Sequence, residues 1–233
     1  MTLFSQLKEA LLHLAYPHVC EGCGTDVLPV DAMLCLQCLS ALPRTQFEQH
    51  RNNPVEKLFW GRMPLVRGSA FCYFTKRSAM QHLMHALKYR GNQDAGIYLG
   101  RLIGHSLNNA GSFADVDALV PLPLYASRER KRGYNQAALL CKGISEILNK
   151  PVFPKAVRRK KSTHTQTAMG RVERWQNMEG GFELADATVV AGRHLLLVDD
   201  VVTTGATLEA CGKELLKAEG AQLSIATLCY ATG

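Results

Sequence analysis

The sequence predicts an α/β protein in which helices flank a parallel sheet, preceded by a small module that contains four cysteines. Residues 118–124, which follow Asp117, and residues 195–198 are continuous apolar runs, which are typical of strands buried on both faces of a parallel sheet. A turn and a helical pattern follow each run. Near the N-terminus, two Cys-x-x-Cys pairs are separated by eleven residues.

Length and composition indicate one main domain with an N-terminal module. The chain has 233 residues, of which 47% are hydrophobic and 20% charged, as is ordinary for a globular protein. No apolar stretch approaches the roughly 20 residues that a membrane helix needs, so we predict no membrane span. Lys8 and Glu9 interrupt the N-terminal leucines, and no signal-type cleavage site follows. We therefore expect a short amphipathic helix there and a cytoplasmic protein.

We predict three parts along the chain. Residues 1–42 comprise the N-terminal helix and the cysteine module. Residues 43–110 comprise the rest of a linker that begins near residue 39, followed by a hood-like helical segment. Residues 111–233 form the core, which contains both apolar runs.

The net charge of +7 is unevenly distributed. The positive excess lies in residues 128–132 and 155–174, and the rest of the chain is slightly acidic. Charged runs are usually solvated faces, but two basic segments serving one site would suit a ligand with several negative charges.

The paired cysteines predict a structural zinc site. Each Cys-x-x-Cys pair offers two thiolates, and the two pairs complete a tetrahedral set formed by Cys20, Cys23, Cys35 and Cys38. Four protein ligands leave no open position for a substrate. A disulfide framework and a redox pair are less favoured alternatives, because no signal peptide is present and a redox pair usually occurs once. The remaining cysteines lie in apolar patterns and are interpreted as buried thiols.

Between the cysteine module and the core, the sequence predicts a linker, one strand and two helices. Residues 39–60 are polar and irregular and are interpreted as a linker. A strand is predicted over 69–75, and helical periodicity over 77–108 is interrupted at Gly91. Lys88, just before that interruption, is either an ordinary basic helix end or a substrate contact.

Residues 117–124 end in Pro-Leu-Pro, which stops the strand and begins a rigid loop. An amphipathic helix follows, for which Asn135 is the predicted N-cap. A short strand is predicted over 151–157. The long segment after it is dense in basic and polar residues and is interpreted as a mobile, functional loop.

The stretch 194–208, HLLLVDDVVTTGATL, predicts a site for a ribose 5-phosphate. Asp199 and Asp200 close the strand and can accept hydrogen bonds from sugar hydroxyls or lie near a magnesium ion. The small residues of 203–207 let N–H groups and hydroxyls surround a phosphate at a helix N-terminus, and Gly205 permits close approach. The alternative is an ordinary acidic turn before a threonine-capped helix. Residues 222–233 predict a final strand.

VDDVVTTGAT resembles the phosphoribosyl-pyrophosphate (PRPP) motif of the type I phosphoribosyltransferases. Other motifs occur in an order similar to that of the ComF family: the cysteine pairs, then residues 87–89, 120–123, 132–136, 163–166, 174–177 and 198–207. This resemblance covers about residues 18–230. It implies a type I phosphoribosyltransferase core in a bacterial cytoplasmic protein linked to natural transformation or to the use of imported DNA.

The resemblance also implies which residues bind PRPP. The ribose and 5-phosphate would be held by Asp199, Asp200, Val201, Thr203, Thr204, Gly205, Ala206 and Thr207. The pyrophosphate would be held by Leu122, Pro123, Arg132, Tyr134, Asn135 and Gln136. A flexible loop would close over the ligand through Arg158, Arg159, Lys160, Thr163 and Gln166.

Three hypotheses of function stay open: an enzyme, a non-catalytic binding protein, and a scaffold in which the zinc module docks a partner. An enzyme would bind PRPP with Mg²⁺ and transfer the phosphoribosyl group to an unknown acceptor, which is a base, an amine or a nucleic-acid derivative. A non-catalytic protein would sense PRPP or handle single-stranded DNA. Proteins of the competence machinery, docked through the zinc module, and a second copy of the chain are further candidate partners.

Overall fold

The computed structural model describes residues 19–29, 32–75, 78–89, 92–160 and 181–231. Its strands are β1 (Gly68–Tyr73), β2 (Ala118–Pro121), β3 (Val157–Arg159), β4 (Phe182–Leu184), β5 (His194–Val202) and β6 (Gln222–Tyr230). Its α-helices are α1 (Leu36–Ser40), α2 (Pro54–Lys57), α3 (Ala79–Tyr89), α4 (Gln93–Ala110), α5 (Ala126–Arg132), α6 (Gln136–Leu148) and α7 (Ala206–Leu215). None of the helices described is long and apolar enough to cross a membrane.

Four parallel strands form the central sheet in the order β1-β6-β5-β2. The strands predicted from the apolar runs and the final strand are confirmed, as are the two helices on either side of Gly91. β1 lies in the segment predicted as linker and hood, yet it pairs with β6 of the predicted core. The division into three parts remains a prediction, but the sheet joins the second part to the third.

β5 explains why its apolar run is continuous. Successive side chains of a strand point to opposite faces of the sheet. Leu196 and Val198 enter the core on the face covered by α3, α4 and α6. Leu195 and Leu197 enter the core on the other face, beside α7 and the β3–β4 hairpin. Both faces are therefore covered by apolar side chains, and the predicted α/β class is confirmed.

The helices α4 and α6 approach each other backbone to backbone. A Cβ added at Gly143 of α6 would lie 2.1 Å from the carbonyl oxygen of Ile97, and one at Gly100 of α4 would lie 2.3 Å from the carbonyl oxygen of Leu140. Only glycine fits at these two positions. The close crossing fixes α6 against the sheet and so places its N-terminus beside the end of β2.

Residues 39–60 were predicted to be a linker, and the structure corrects this. The segment contains the end of α1, a 3₁₀ turn at Phe47–Gln49 and α2. Val55 and Phe59 are fully buried against the sheet. Together with Met63 they repeat every four residues, which is an apolar helical spacing that the surrounding polar residues obscured.

The predicted strand at 151–157 and the predicted loop after it also differ from the structure. Val152 makes only an isolated bridge to Leu119, and the strand is β3, paired antiparallel with β4. Arg158 and Arg159 therefore belong to a strand rather than to a loop. Lys160 follows β3 and is exposed. Thr163 and Gln166 lie outside the described residues.

Candidate functional site

The loop between β5 and α7 has the form expected of an anion site. Thr203 and Thr204 are exposed, and Gly205 caps α7 with a left-handed backbone, φ 74°. Ala206 and Thr207 begin the helix. The first N–H groups of a helix have no partner within the helix and carry the positive end of its dipole. The stretch predicted to hold the phosphate is therefore a glycine-capped helix N-terminus, and its role remains a prediction.

The underside of this loop is formed by the segment that sequence reasoning missed. A Cβ added at Gly205 would lie 2.9 Å from the ring of Phe59. Arg62 Nη1 donates hydrogen bonds to the carbonyl oxygens of Leu58 at 2.8 Å and of Thr204 at 2.9 Å. Position 205 thus requires glycine for two reasons: its backbone has a positive φ, and the Phe59 ring leaves no room for a Cβ. A Gly205→Val variant would strain the fold itself and would not isolate the effect on a bound phosphate.

Asp199 and Asp200 lie within β5, which continues to Val202, rather than at its end as predicted. Because strand side chains alternate, the two carboxylates face opposite sides of the sheet. Asp200 Oδ2 lies 2.8 Å from Nζ of Lys88, in the last turn of α3. From the sequence, Lys88 was either an ordinary helix end or a substrate contact. In the structure its ammonium group contacts the acidic pair at Asp200.

Asp199 lies on the other face, toward α7 and Arg159. Its burial and then the charge of Asp200 raise its pKa to about 8, against the opposing effect of nearby cations. The acidic pair thus combines a carboxylate that is paired with an ammonium group and a carboxyl group whose pKa is raised.

The raised pKa of Asp199 predicts how the stability of the protein depends on pH. The folded pKa lies above the unfolded value of about 3.9, so the folded state binds the proton more tightly. The contribution of Asp199 to stability is present below about pH 4 and is lost as pH rises toward about 8, by at most about 1.4 kcal/mol per pH unit. Partial exposure of the Asp199 side chain limits the rise of its pKa and so narrows the pH range over which this stability is lost.

An Asp199→Asn variant, which cannot ionise, should therefore become progressively more stable than the parent between about pH 5 and pH 8, with no further change above that range. Urea unfolding of both proteins at a series of pH values measures the difference. A difference in the free energy of unfolding that stays constant with pH would contradict the raised pKa.

The predicted pyrophosphate residues gather around the end of β2 and the start of α6. The Leu122 N–H donates to the Val198 carbonyl, which holds the loop after β2 against β5. Asn135 caps α6 as predicted, and its Nδ2 donates to the Leu122 carbonyl at 2.9 Å. Tyr134 Oη donates to the Leu87 carbonyl at 2.7 Å, which ties this loop to α3.

Gln136 is 2% exposed, and its Oε1 accepts a hydrogen bond from Arg132 at 2.8 Å. Its Nε2 is buried and has no hydrogen-bond partner within the described part of the chain. A buried amide donor is costly to leave without a partner. This donor is buried behind the loop after β2, where no open surface reaches it.

A groove of about 570 Å³ runs between the loop after β2 and the β3–β4 hairpin. Of the predicted site residues, Pro123, Asn135, Arg158 and Arg159 line it, whereas Arg132, Tyr134 and Gln136 do not. The structure thus divides the predicted pyrophosphate set into residues beside the groove and residues behind the loop.

Arg158 and Arg159 have different surroundings in the hairpin. Arg158 is exposed and forms an ion pair with Glu183 of β4. The Arg159 guanidinium lies over the ring of Tyr125, 3.8 Å from its centroid, and over that of Phe182 at 4.7 Å. Burial lowers the pKa of Arg159. Arg159 is therefore held in place by aromatic rings, whereas Arg158 is not.

The four paired cysteines form a compact cluster. The sulfur atoms of Cys20, Cys23, Cys35 and Cys38 all lie within 4.8 Å of one another. The N–H groups of Gly22 and Cys35 point at the sulfur of Cys20 at 3.4 and 3.3 Å. Burial raises the pKa of Cys20, but hydrogen bonds from the backbone N–H groups of Cys35, Cys23 and Gly22 and from the Cys38 thiol outweigh it and bring the pKa to about 6.

The cluster fits a tetrahedral zinc ion. Zn–S bonds of about 2.3 Å place sulfur atoms ~3.8 Å apart, and Cys23 and Cys35 sulfurs lie 3.7 Å apart. Gly22 is required beside it, because an added Cβ would lie 2.8 Å from the sulfur of Cys38. Cys20 and Cys35 also belong to the main core with α3 and α4, so the module is not a separate unit.

The parallel sheet and the loop between β5 and α7 define a protein of the type I phosphoribosyltransferase fold. The family model for a phosphoribosyl transferase domain matches residues 135–232. Competence protein F of Haemophilus influenzae is 31% identical over 211 residues, which cover 88% of this chain and 87% of that protein. The DNA utilization protein YhgH of Escherichia coli is 30% identical over 226 residues, covering 94% and 92%. The chain belongs to the ComF family.

Among solved structures, the chain is similar to a glutamine PRPP amidotransferase from B. subtilis complexed with ADP and GMP. The TM-score is 0.44 with 15% identity. The match covers 62% of this chain and 30% of the length of that one.

Proposed function

We propose that the protein binds PRPP with Mg²⁺ and transfers its phosphoribosyl group to an acceptor, with release of pyrophosphate. The observation that carries the proposal is the position of Asp199 and Asp200 in β5, one short loop before the glycine-capped N-terminus of α7. A ribose 5-phosphate presents hydroxyls for the carboxylates and a phosphate for the helix N-terminus. The phosphoribosyl transferase domain shared with the ComF family supports the same ligand.

Each predicted group has a role in this reaction. The loop 203–207 holds the 5-phosphate, and the acidic pair accepts hydrogen bonds from the ribose hydroxyls. The cations of the groove, Arg158 and Arg159, stabilise the charge that develops on the pyrophosphate as its bond to C1 lengthens. Bound together with PRPP at the carboxylates, Mg²⁺ would neutralise part of that charge.

The four-cysteine cluster is proposed to hold one structural zinc ion. Its four thiols, their spacing and the N–H groups directed at Cys20 support this assignment. The zinc would stabilise the fold and take no part in the reaction, because all four positions around it are filled by protein.

The names of the relatives connect them with competence and with the use of DNA. We propose that this chain acts in the same setting in the bacterial cytoplasm. The acceptor would then be a base, an amine or a product of imported DNA. The alternative, PRPP binding without turnover, is distinguished by screening bases and amines for release of pyrophosphate from PRPP. A non-catalytic protein would bind PRPP, and no acceptor would cause it to release pyrophosphate.

The Asp200→Asn variant tests the site directly. The asparagine loses the negative charge that the ribose hydroxyls and the cation need, and hydrogen bonds to charged groups contribute about 1.5–3 kcal/mol each. We expect the affinity for Mg-PRPP to fall roughly ten- to hundred-fold by isothermal titration calorimetry. Asp94→Asn, an exposed carboxylate at the start of α4, is the matched control and should bind as the parent does. Equal affinities of Asp200→Asn and the parent would remove Asp200 from the site.

A further inference from the structure

Arg62 lies beneath the phosphate loop and contacts it through the backbone. We propose that Arg62 is a positioning residue that fixes the peptide between Thr204 and Gly205, so that the N–H of Gly205 faces a bound 5-phosphate. This inference rests on the proposed function, because it concerns how the same loop is held ready for its ligand.

The argument begins with the hydrogen bonds of the guanidinium group. Arg62 Nη1 donates to the carbonyl oxygens of Leu58 and Thr204, at 2.8 and 2.9 Å. In a trans peptide the carbonyl and the following N–H point in opposite directions, and the chain described here contains no cis peptide bond. With the Thr204 carbonyl directed at Arg62, the Gly205 N–H is directed away from it, toward the outer side of the loop.

A second contact fixes the guanidinium relative to α7. Nη2 of Arg62 forms an ion pair with Glu209 in the first turn of the helix, and Glu209 also pairs with Lys213 at 2.8 Å. Glu209 is 7% exposed. The planar group therefore joins three elements, which are the turn after α2, the phosphate loop and the helix that the loop caps.

This geometry needs arginine rather than any cation. The guanidinium is a rigid fork with five donors, whereas a lysine ammonium is a compact charge on a flexible chain. The single nitrogen of a lysine at position 62 cannot reproduce contacts that two separate guanidinium nitrogens make, Nη1 with both carbonyl oxygens and Nη2 with Glu209. Conversely, glutamine at position 209 would remove the ion pair and leave the bonds from Arg62 to the two carbonyls in place.

The two substitutions separate positioning from simple charge. If Arg62 acts through the Thr204 carbonyl, Arg62→Lys should weaken binding of ribose 5-phosphate and of Mg-PRPP by about tenfold or more, while Glu209→Gln should change it by less than about threefold. If Arg62 acts only by its charge, Arg62→Lys should bind as the parent does, and Glu209→Gln should bind more tightly. This second pattern would overturn the proposal.

The matched control is Arg101→Lys, which alters an exposed ion pair with Glu146 between α4 and α6, away from the loop. It should leave binding unchanged. Thermal unfolding of every variant checks that the loss of affinity is not a loss of folded protein.

Hydrogen exchange of the ligand-free protein provides a test that does not require binding. Arg62→Lys should speed exchange of the amides in residues 203–207 and leave those of β6 unchanged. Unaltered exchange in 203–207 would overturn the proposal even if PRPP binds. Faster exchange in a protein whose parent binds neither ribose 5-phosphate nor Mg-PRPP would support the positioning role and refute the proposed function instead.

Discussion

Replacing Gly143 with alanine should lower the free energy of unfolding by about 3 kcal/mol or more, which corresponds to a fall in melting temperature of about 10 °C. An alanine Cβ would lie 2.1 Å from the Ile97 carbonyl oxygen and 2.7 Å from the Arg101 nitrogen. Both are backbone atoms of α4, so no side-chain rotation relieves the contact. The helices must separate, and this movement opens the core between them and the sheet.

Gly212→Ala of α7 is the matched control, because it is also a buried glycine within a helix. Its added Cβ would meet the ends of two side chains, Leu223 at 2.7 Å and Met63 at 3.0 Å, which can move. Alanine also favours the helix by about 1 kcal/mol. We expect Gly212→Ala to cost much less than Gly143→Ala in chemical denaturation. Equal costs would show that α4 and α6 do not cross as closely as described.

Cys20→Ser should remove the zinc ion and strongly destabilise the protein, because structural zinc contributes its binding free energy to folding. Cys20 is 2% exposed and shares a core with residues of α3 and α4. The loss should therefore reach the main domain and appear as early melting or aggregation. Metal analysis of protein purified without chelator should give one zinc per parent chain and close to none for the variant.

The control is Cys141→Ala, a fully buried thiol of α6 outside the cluster. It should retain its zinc and lose about 1 kcal/mol for the small cavity. PRPP affinity of the folded fraction of Cys20→Ser should match that of the parent, because the cluster does not contribute to the phosphate loop. A parent protein without zinc and with its four thiols oxidised in pairs would refute the zinc assignment.

Contiguous features of the chain were predictable from local sequence. The apolar run of β5, the acidic pair, the glycine turn and α7 follow one another within a few residues. Their geometry depends on strand burial, backbone conformation and helix capping, which are local properties. For the same reason the cap at Asn135, the helix break near Gly91 and the spacing of the paired cysteines could be interpreted directly. The fold class and the family assignment followed from these features and are confirmed, whereas the residue roles remain predictions.

Contacts between distant segments were not predictable in this way. Arg62 and the Thr204 carbonyl are 142 residues apart, and no local sequence pattern around either residue indicates that they are in contact. The burial of Phe59 depends on a loop that forms only when β5 and α7 are in place. The linker interpretation failed because a few apolar residues at helical spacing become significant only when a surface exists to cover them.

The sequence by itself therefore determined the strand, loop and helix that can hold a phosphate, and the cysteines that can hold a metal. Only the tertiary structure decided what surrounds them. Asp200 meets Lys88 of α3 while Asp199 faces the opposite side of the sheet with a raised pKa. Strand alternation separates the two carboxylates, and helix packing, set by glycines such as Gly143, brings their partners to them. Packing of this kind depends on the simultaneous fit of elements far apart in the chain, which no local pattern encodes.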